Sequence, residues 1–157
     1  PFFFFFVPER REEVTTEGGV DVTHDPAALE KALARMRSAG IRSSLFIDPD
    51  STMVKASRVL GADAIELHTG SYAHHPNDAV HLGALARAAA LAHSLGLHVH
   101  AGHGLTVRNV TAVAAIPEIE ELNIGHTIVS RAVFVGIADA VREMRAAMDR
   151  ARGALHT

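Results

Sequence analysis

The sequence predicts an α/β fold in which helices cover a sheet of parallel strands. Short apolar runs of four to six residues alternate five times with longer stretches of helical period. Gly40, Gly61 and Gly96 each end a helical stretch shortly before an apolar run, as in the αβ connections of a parallel sheet. With 157 residues, 48% hydrophobic and 21% charged, the chain has the composition of one globular domain. The pattern fits either a doubly wound sheet or part of a barrel.

Strands are predicted where runs rich in Phe, Ile, Leu or Val are bounded by glycine, proline or polar residues. The first run contains five consecutive phenylalanines and has the character of a fully buried strand. Because a helical stretch follows each run, parallel pairing is favoured over hairpins. The five predicted strands are Phe2–Val7, Ser43–Ile47, Ala64–His68, Leu97–Ala101 and Leu122–Gly125.

Helices are predicted in the periodic stretches between these strands. The first has the clearest boundaries, because Asp25 is a good N-cap, Pro26 suits the first helical position and Gly40 follows the last turn. Glycine also ends the second and third helical stretches. The five predicted helices are Pro26–Ala39, Thr52–Leu60, Asp78–Leu95, Thr106–Ala115 and Arg131–Ala151.

Composition excludes several classes of function. There are no cysteines, so disulfides, thiolate zinc sites, iron–sulfur clusters and cysteine nucleophiles are all excluded. Fifteen Lys and Arg against eighteen Asp and Glu give a net charge of −3, which provides no basic field for a nucleic acid. The apolar run at residues 2–7 is much shorter than the roughly 20 residues of a spanning helix and has no basic leader. We expect a cytoplasmic enzyme or binding domain without membrane or nucleic-acid partners.

Polar residues follow each predicted strand, at the end of the sheet where α/β proteins place their sites. In doubly wound sheets and in barrels, ligands bind beyond the carboxyl ends of the strands. We therefore expect a catalytic mouth built from the residues that follow the strands. These segments are 8–19, Asp48-Pro49-Asp50, His68-Thr69-Gly70, Gly102-His103-Gly104 and Gly125-His126.

The last two of these segments indicate a phosphate site. Glycines let backbone N–H groups approach an anion closely, and the helix that follows adds the positive end of its dipole. In barrels, phosphate often binds between the loops of the last two strands. We expect Gly104, Gly125 and His126 to hold a phosphorylated small molecule. The alternative is that these glycines only turn the chain tightly.

Two ionisable residues are candidates for acid–base chemistry. Glu66 alternates with apolar neighbours, so it faces away from them, and a carboxylate buried in a barrel lumen has a raised pKa. The alternative is a solvent-facing glutamate on an edge strand. His103 lies between two glycines at a strand end, where it could exchange protons near neutral pH. An isolated histidine is otherwise more often structural.

The histidine spacing also leaves a metal site open. His98 and His100 are two residues apart on one strand, so their side chains share a face. With His103, and with His68 or Asp48 completing the shell, they could serve a metal-dependent hydrolase. We assign no metal, because spacing alone is weak evidence without a pattern of supporting residues.

Several stretches taken together resemble the pyridoxine 5′-phosphate synthase family. They occur in the family's order and extend from Val7 to Gly153. The combination is far more specific than any one motif. The stretches are Val7–Val22, Ser44–Asp48, Ile65–Gly70 with Tyr72-Ala73, Ala101–Leu105, Ala114–Glu118, Glu121–His126 and Arg131–Val133.

The resemblance implies a (β/α)8 TIM barrel of which this chain covers about strands four to eight. Residues 1–157 would then form a single partial barrel domain, and the family's homo-oligomeric state would apply. In the family, the first three strands carry another catalytic glutamate, a catalytic histidine and several substrate-binding residues. We therefore expect this chain alone to be catalytically weak until a complementing segment or partner chain closes the barrel. His100 stands where the family usually has asparagine.

The resemblance also implies an activity in vitamin B6 synthesis that needs no cofactor. The family condenses 1-deoxy-D-xylulose 5-phosphate with 3-amino-2-oxopropyl phosphate to give pyridoxine 5′-phosphate, inorganic phosphate and water. By resemblance, His103 is the proton donor, Glu66 stabilises the transition state and Thr15 contacts the deoxyxylulose phosphate, while Gly104, Gly125 and His126 contact the aminoketone phosphate. A non-catalytic phosphate-binding or assembly fragment is the second hypothesis, and the metal-dependent hydrolase is the third.

Overall fold

The computed structural model describes residues 3–8 and 18–153, and within them it contains one sheet of five strands. Neighbouring strands are all parallel and follow the order of the chain. Each predicted strand is present, with ends that differ by two residues or fewer. The strands are β1 Phe3–Phe6, β2 Arg42–Ile47, β3 Ala64–His68, β4 His98–Gly102 and β5 Glu121–Asn123.

Helices occupy the connections between the strands. The predicted helices at α1, α2 and α4 agree with the structure to within one residue at each end. Within the described residues, no helix is long and apolar enough to cross a membrane. The helices are α1 Pro26–Ser38, α2 Ser51–Leu60, α3 Gly70–His74, α4 Ala79–Ser94, α5 Val110–Ala114, α6 His126–Val135 and α7 Ile137–Gly153.

The helix boundaries have the local causes that the sequence indicates. The Asp25 carboxylate accepts a hydrogen bond from the backbone N–H of Ala28 at 3.1 Å, and Pro26 is the first residue of α1. In the same way, Asp50 caps α2 through the N–H of Thr52 at 2.7 Å. Gly61 ends α2 in the left-handed conformation, with φ of 82°. Caps and glycines therefore set these helix lengths.

The predicted helix Arg131–Ala151 is wrong in two respects. The segment forms two helices, α6 and α7, because Gly136 between them has φ of 84°, a conformation that no helix interior contains. It also begins earlier than predicted, at His126. The helix predicted at Thr106–Ala115 has helical geometry only from Val110 to Ala114. The short α3 was not predicted, because five residues are too few to show helical periodicity.

The sheet curls into half of a barrel. The ring of Phe3 on β1 lies 4.8 Å from the ring of His100 on β4, although β2 and β3 separate their strands in the sheet. The side that contains these two rings is called the concave face below, and the opposite, helix-covered side the convex face. The result is the partial (β/α) barrel that the resemblance implies.

The hydrophobic core lies between the convex face and the helices. Leu45, Ile47, Ile65, Leu67 and Val99 point to this side and are fully buried. They belong to one apolar cluster with residues of the helices, among them Leu33, Val54, Leu85, Ala89 and Met144. The alternate residues of the same strands form the concave face. Packing therefore fixes the direction of the side chains on the other face.

Candidate active site

The register of the sheet brings polar residues of three strands side by side on the concave face. Glu66 pairs with Phe46 of β2 on one side and with His100 of β4 on the other. His100 in turn pairs with Glu121 of β5. Partners in a parallel register point to the same side of the sheet. Glu66 therefore points away from Ile65 and Leu67, as the alternation predicts.

Glu66 is a buried carboxyl group with one hydrogen-bond donor. The residue is 7% exposed, and the side-chain amide of Asn123 donates to its Oε2 at 3.0 Å. Burial raises the pKa of Glu66 from 4.5 to about 7, an effect that the Asn123 hydrogen bond opposes and the nearby Glu121 carboxylate assists. The alternative of a solvent-facing edge-strand glutamate is therefore wrong. Near neutral pH this carboxyl exists in both protonation states.

Gly102 provides the space that this carboxyl occupies. A Cβ atom at residue 102 would lie 2.4 Å from Glu66 Oε1 and 2.6 Å from the carbonyl oxygen of Asn123. Any side chain would therefore displace the carboxyl group or the β5 backbone. Asn123 was not a sequence-predicted site residue, although it lies in the polar segment around Gly125 that the family resemblance includes.

His103 occupies a turn with unusual backbone geometry. Its φ is 84°, and it is the only non-glycine residue with positive φ among the described residues. Strained conformations of this kind persist where the surroundings hold them in place, and they cluster at functional sites. Here the hydroxyl of Thr69 contacts the carbonyls of both Gly102, at 2.7 Å, and His103. The turn that carries the imidazole is thus held by Thr69, the residue that follows β3.

The surroundings of His103 favour the neutral form of its imidazole. Burial lowers the pKa of His103 below its ordinary value, and the neighbouring His68, His74 and His126 lower it further because each can carry a like charge. A neutral imidazole has one nitrogen that donates and one that accepts a hydrogen bond. Once protonated, His103 is a stronger acid than an exposed histidine.

A cavity of about 230 Å³ at the carboxyl end of the sheet brings the predicted site residues together. Asn123 and Phe46 complete its polar and apolar walls. Thr15, the sixth predicted site residue, lies outside the described residues. The predicted site residues that line the cavity are Glu66, His103, Gly104, Gly125 and His126.

The cavity is bounded by a helix start and a glycine turn. Gly125, His126 and Thr127 belong to the beginning of α6 and line the cavity. Backbone N–H groups in a first helical turn have no partners within the helix, so they attract anions. On the opposite side, Gly104 has φ of 75°, and a Cβ there would lie 2.7 Å from Ala73 Cβ. This turn therefore requires glycine.

The structure does not assemble the metal site considered for His98, His100 and His103. Nδ1 of His98 is 2.8 Å from a carboxylate oxygen of Glu120, and His100 is buried beside Phe3. His103 lies beyond the end of β4 in the turn. In residues 3–8 and 18–153, no three His, Asp or Glu side chains are grouped so as to hold a metal ion.

A larger groove of about 1150 Å³ lies between α5, α6 and α7. Its walls are mainly apolar, and it is lined by none of the five predicted site residues that the structure describes. Volume alone would favour this groove. We assign the site to the smaller cavity because that cavity contains the carboxyl and imidazole groups with shifted pKa values.

Comparison with known proteins agrees with the resemblance of the sequence. Residues 1–150 match the family described as Pyridoxal phosphate biosynthesis protein PdxJ. Proteins named pyridoxine 5′-phosphate synthase from three strains of Coxiella burnetii (Dugway, Henzerling and Nine Mile) are each 54% identical over 142 residues. The match covers 88% of this chain and 59% of each relative. The chain thus spans about three fifths of the length of the curated relatives it matches.

Proposed function

The chain belongs to the pyridoxal phosphate biosynthesis protein PdxJ family, and we propose that it carries part of the active site of a pyridoxine 5′-phosphate synthase. The reaction condenses 1-deoxy-D-xylulose 5-phosphate with 3-amino-2-oxopropyl phosphate and releases inorganic phosphate and water. The observation that carries the proposal is the cavity in which Glu66 and His103 meet the glycines and the start of α6. Acid–base groups and an anion site share one small space there.

Glu66 is proposed to stabilise the transition state of the condensation. Imine formation, dehydration and ring closure each place protons on carbon, nitrogen or oxygen and remove them again. Acid–base groups work best when their pKa lies near the operating pH. The pKa of Glu66, raised to about 7 by burial, meets this condition. Its hydrogen bond with Asn123 keeps the carboxyl oriented.

His103 is proposed to donate protons to leaving oxygen atoms. Its low pKa makes the imidazolium form a ready donor, and the neutral form can then accept a proton in a later step. The turn geometry supports the role, because the carbonyl contacts of Thr69 hold the backbone that carries the ring. No cofactor is needed for these proton transfers.

The phosphate of the aminoketone substrate is proposed to bind Gly104, Gly125 and His126. Backbone amides at the start of α6 and at the glycine turn suit a phosphate dianion. Binding a remote phosphate positions the reacting end of the molecule beside Glu66 and His103. Thr15 is proposed to contact the phosphate of the deoxyxylulose substrate.

The remaining proposals concern the assembly. We propose that residues 1–157 form a single partial barrel domain and act in the cytoplasm within a homo-oligomer. In the described residues, the outer edge of β1 and that of β5 have no partner strand. Open edges of this kind invite association. A complementing segment or a second chain that closes the barrel would supply the remaining active-site residues at the carboxyl ends of the strands.

Turnover of the two phosphorylated substrates tests the activity. It is measured for this chain alone and after addition of a separately expressed first half of a homologous barrel. We expect pyridoxine 5′-phosphate only from the mixture, and none when the chain carries Glu66→Gln. Ordinary rates from the chain alone would show that no complement is needed. A mixture that forms a complex but no product would contradict the proposed activity.

A non-catalytic phosphate-binding fragment is the second candidate. The observation that favours it is that the proposed phosphate contacts all belong to this chain and line one cavity. Calorimetric titration with inorganic phosphate and with 3-amino-2-oxopropyl phosphate separates the candidates. Binding that is lost on Gly104 substitution, without turnover in the complemented mixture, would favour this function.

A further inference from the structure

A second histidine lies beside the cavity and is paired with a carboxylate. Nδ1 of His68, the last residue of β3, is 3.1 Å from Oδ1 of Asp48, which follows β2. The backbone N–H of Gly19 donates to the same carboxylate oxygen at 3.2 Å. An ionised carboxylate only accepts hydrogen bonds, so the proton of this pair lies on Nδ1 of His68. Nε2 then carries the lone pair of the neutral ring.

Nε2 of His68 is buried and, among the described residues, has no hydrogen-bond partner. Buried polar atoms are nearly always paired, so an exception indicates a functional role or a bound molecule. Gly70 packs directly against this atom, because a Cβ at residue 70 would lie only 2.6 Å from Nε2. The same position is 3.6 Å from Cδ2 of His103. The two imidazole rings therefore both pack beside Gly70.

The rings of His68 and His103 are direct neighbours. Their centroids are 5.0 Å apart and the rings are tilted by 53°. The ring of Phe46 packs at 5.2 Å from His68 and at 6.5 Å from His103, on the concave face. The ring of His68 is buried in this packing, whereas His103 is partly exposed and lines the cavity. The ring separation of 5.0 Å is the geometric basis for proton exchange between the two residues.

We propose that Asp48 and His68 are positioning residues that let His103 exchange a proton with Nε2 of His68 between the steps of the reaction. The catalytic part of this inference rests on the proposed function. The arrangement of protons in the unliganded chain does not, because it follows from the contacts of Asp48, His68 and Gly70 alone.

The proton balance of the pair is simple. The shared proton lies either on Nε2 of His68 or on His103, and it moves from Nε2 to His103 before His103 gives it to a leaving oxygen, while His68 retains the proton on Nδ1. When His103 later takes a proton from carbon, the transfer runs in reverse. The pair thus holds one proton to give and one site to receive. A reaction with successive proton transfers needs both.

Charge at the site explains why the two rings share one proton. Two adjacent imidazolium rings repel each other, so protonation of His68 opposes protonation of His103. His74 from α3 and His126 from α6 add positive charge when protonated. The carboxyl of Glu66 also lines the cavity, and the Asp48 carboxylate faces the far side of His68.

Nitrogen NMR of the ¹⁵N-histidine-labelled chain tests the arrangement without any turnover. We expect His68 to carry its proton on Nδ1, with an unprotonated Nε2, in the neutral form. In His68→Asn, the amide still donates to Asp48 but has no atom in place of Nε2, so the pKa of His103 should rise. His93→Asn, on the exposed end of α4, is the matched control and should leave His103 unchanged.

Two results would overturn the arrangement. One is a neutral His68 with its proton on Nε2, and the other is an unchanged His103 titration in a folded His68→Asn. If that variant does not fold, Asp48→Asn provides the second test, because it retains the ring and removes the charge. It should weaken the preference of His68 for the Nδ1 proton, and an unchanged preference would contradict the proposal.

Kinetics of the complemented enzyme test the catalytic part. His68→Asn should lower kcat on the order of 100-fold and leave KM nearly unchanged, because the residue acts through His103 rather than on substrate. The alkaline limb of the kcat profile should move to higher pH, following the raised pKa of His103. An unchanged kcat would refute the role. If the unmodified mixture forms no product, the proposed function fails, while the NMR result still decides the arrangement.

Discussion

The two faces of the sheet differ in chemistry although they are built from alternate residues of the same strands. On β3, Ile65 and Leu67 point to the convex face and are fully buried among helices. Glu66, between them, points to the concave face and carries an ionisable group. The convex face contributes hydrophobic stabilisation, whereas the concave face holds groups that are unfavourable to bury. Adjacent residues of one strand thus serve different purposes, one in the stability of the fold and the next in its chemistry.

The separation has a physical cause in the period of the strand. Because side chains alternate, packing that fixes Leu67 on the helices also fixes its neighbours Glu66 and His68 on the other face. The apolar contacts of the convex face therefore position the acid–base groups. Substitutions on the two faces should have separable effects, on folding for one face and on reactivity for the other.

The largest effect is expected from Leu67→Ala on the convex face. A fully buried leucine truncated to alanine loses its transfer free energy and leaves a cavity, which costs about 2–5 kcal/mol of unfolding free energy. Ser44→Ala on the concave face of β2 is the matched control. Its hydroxyl is buried and, within the described part of the chain, has no partner, so its loss should change stability by less than about 1 kcal/mol.

Urea unfolding of the two variants under identical conditions checks this difference. Equal losses of stability would mean that the concave face contributes to folding as much as the convex face. The separation of roles would then be wrong, and Glu66 and His103 would depend on a different set of contacts.

A smaller effect, with a pH dependence, is expected from Glu66→Gln. Well below pH 4.5 the carboxyl is protonated in both the folded and the unfolded chain, so its ionisation has no effect on stability. As the pH rises towards the folded pKa of about 7, the unfolded chain ionises first and the wild type loses about 3 kcal/mol relative to the variant. The free energy of unfolding of the variant minus that of wild type should therefore be larger at pH 8 than at pH 4.5.

Unfolding free energies at several pH values, with Glu30→Gln as the control, check the sign. Glu30 is an exposed residue of α1, so its substitution should show no comparable pH-dependent gain. The same gain in both variants would show that burial of Glu66 is not its cause. A gain limited to Glu66→Gln, together with lost activity, would show that the site is functional at the expense of stability.

Local patterns predicted most of the fold. The period of β3 predicted the orientation of Glu66, and the caps at Asp25 and Asp50 agree with the predicted helix starts. The break at Gly136 was missed because apolar residues continue on both sides of it. Periodicity describes one segment at a time, so a single positive φ within a periodic stretch leaves little trace.

Contacts between distant segments could not be predicted in the same way. The hydrogen bond from Asn123 to Glu66 joins residues 57 positions apart, and it depends on the register of β3, β4 and β5. The pairing of Asp48 with His68 likewise requires neighbouring strands in register. The sequence indicated that polar residues meet at one end of the sheet. Which of them contact one another is decided by the register.

The smallest effect is expected from Gly125→Ala at the start of α6. A Cβ there meets no described atom within 4 Å, so the free energy of unfolding should change by only a few tenths of a kcal/mol. Gly104→Ala is not a comparable variant, because its Cβ would meet Ala73 and the alanine would be forced to φ of 75°. The added methyl narrows the approach of an anion to the first turn of α6. We expect calorimetry to show roughly three- to tenfold weaker phosphate binding, equivalent to about 1 kcal/mol. Unchanged affinity would assign the phosphate to the Gly104 turn instead, leaving the start of α6 as a wall of the cavity.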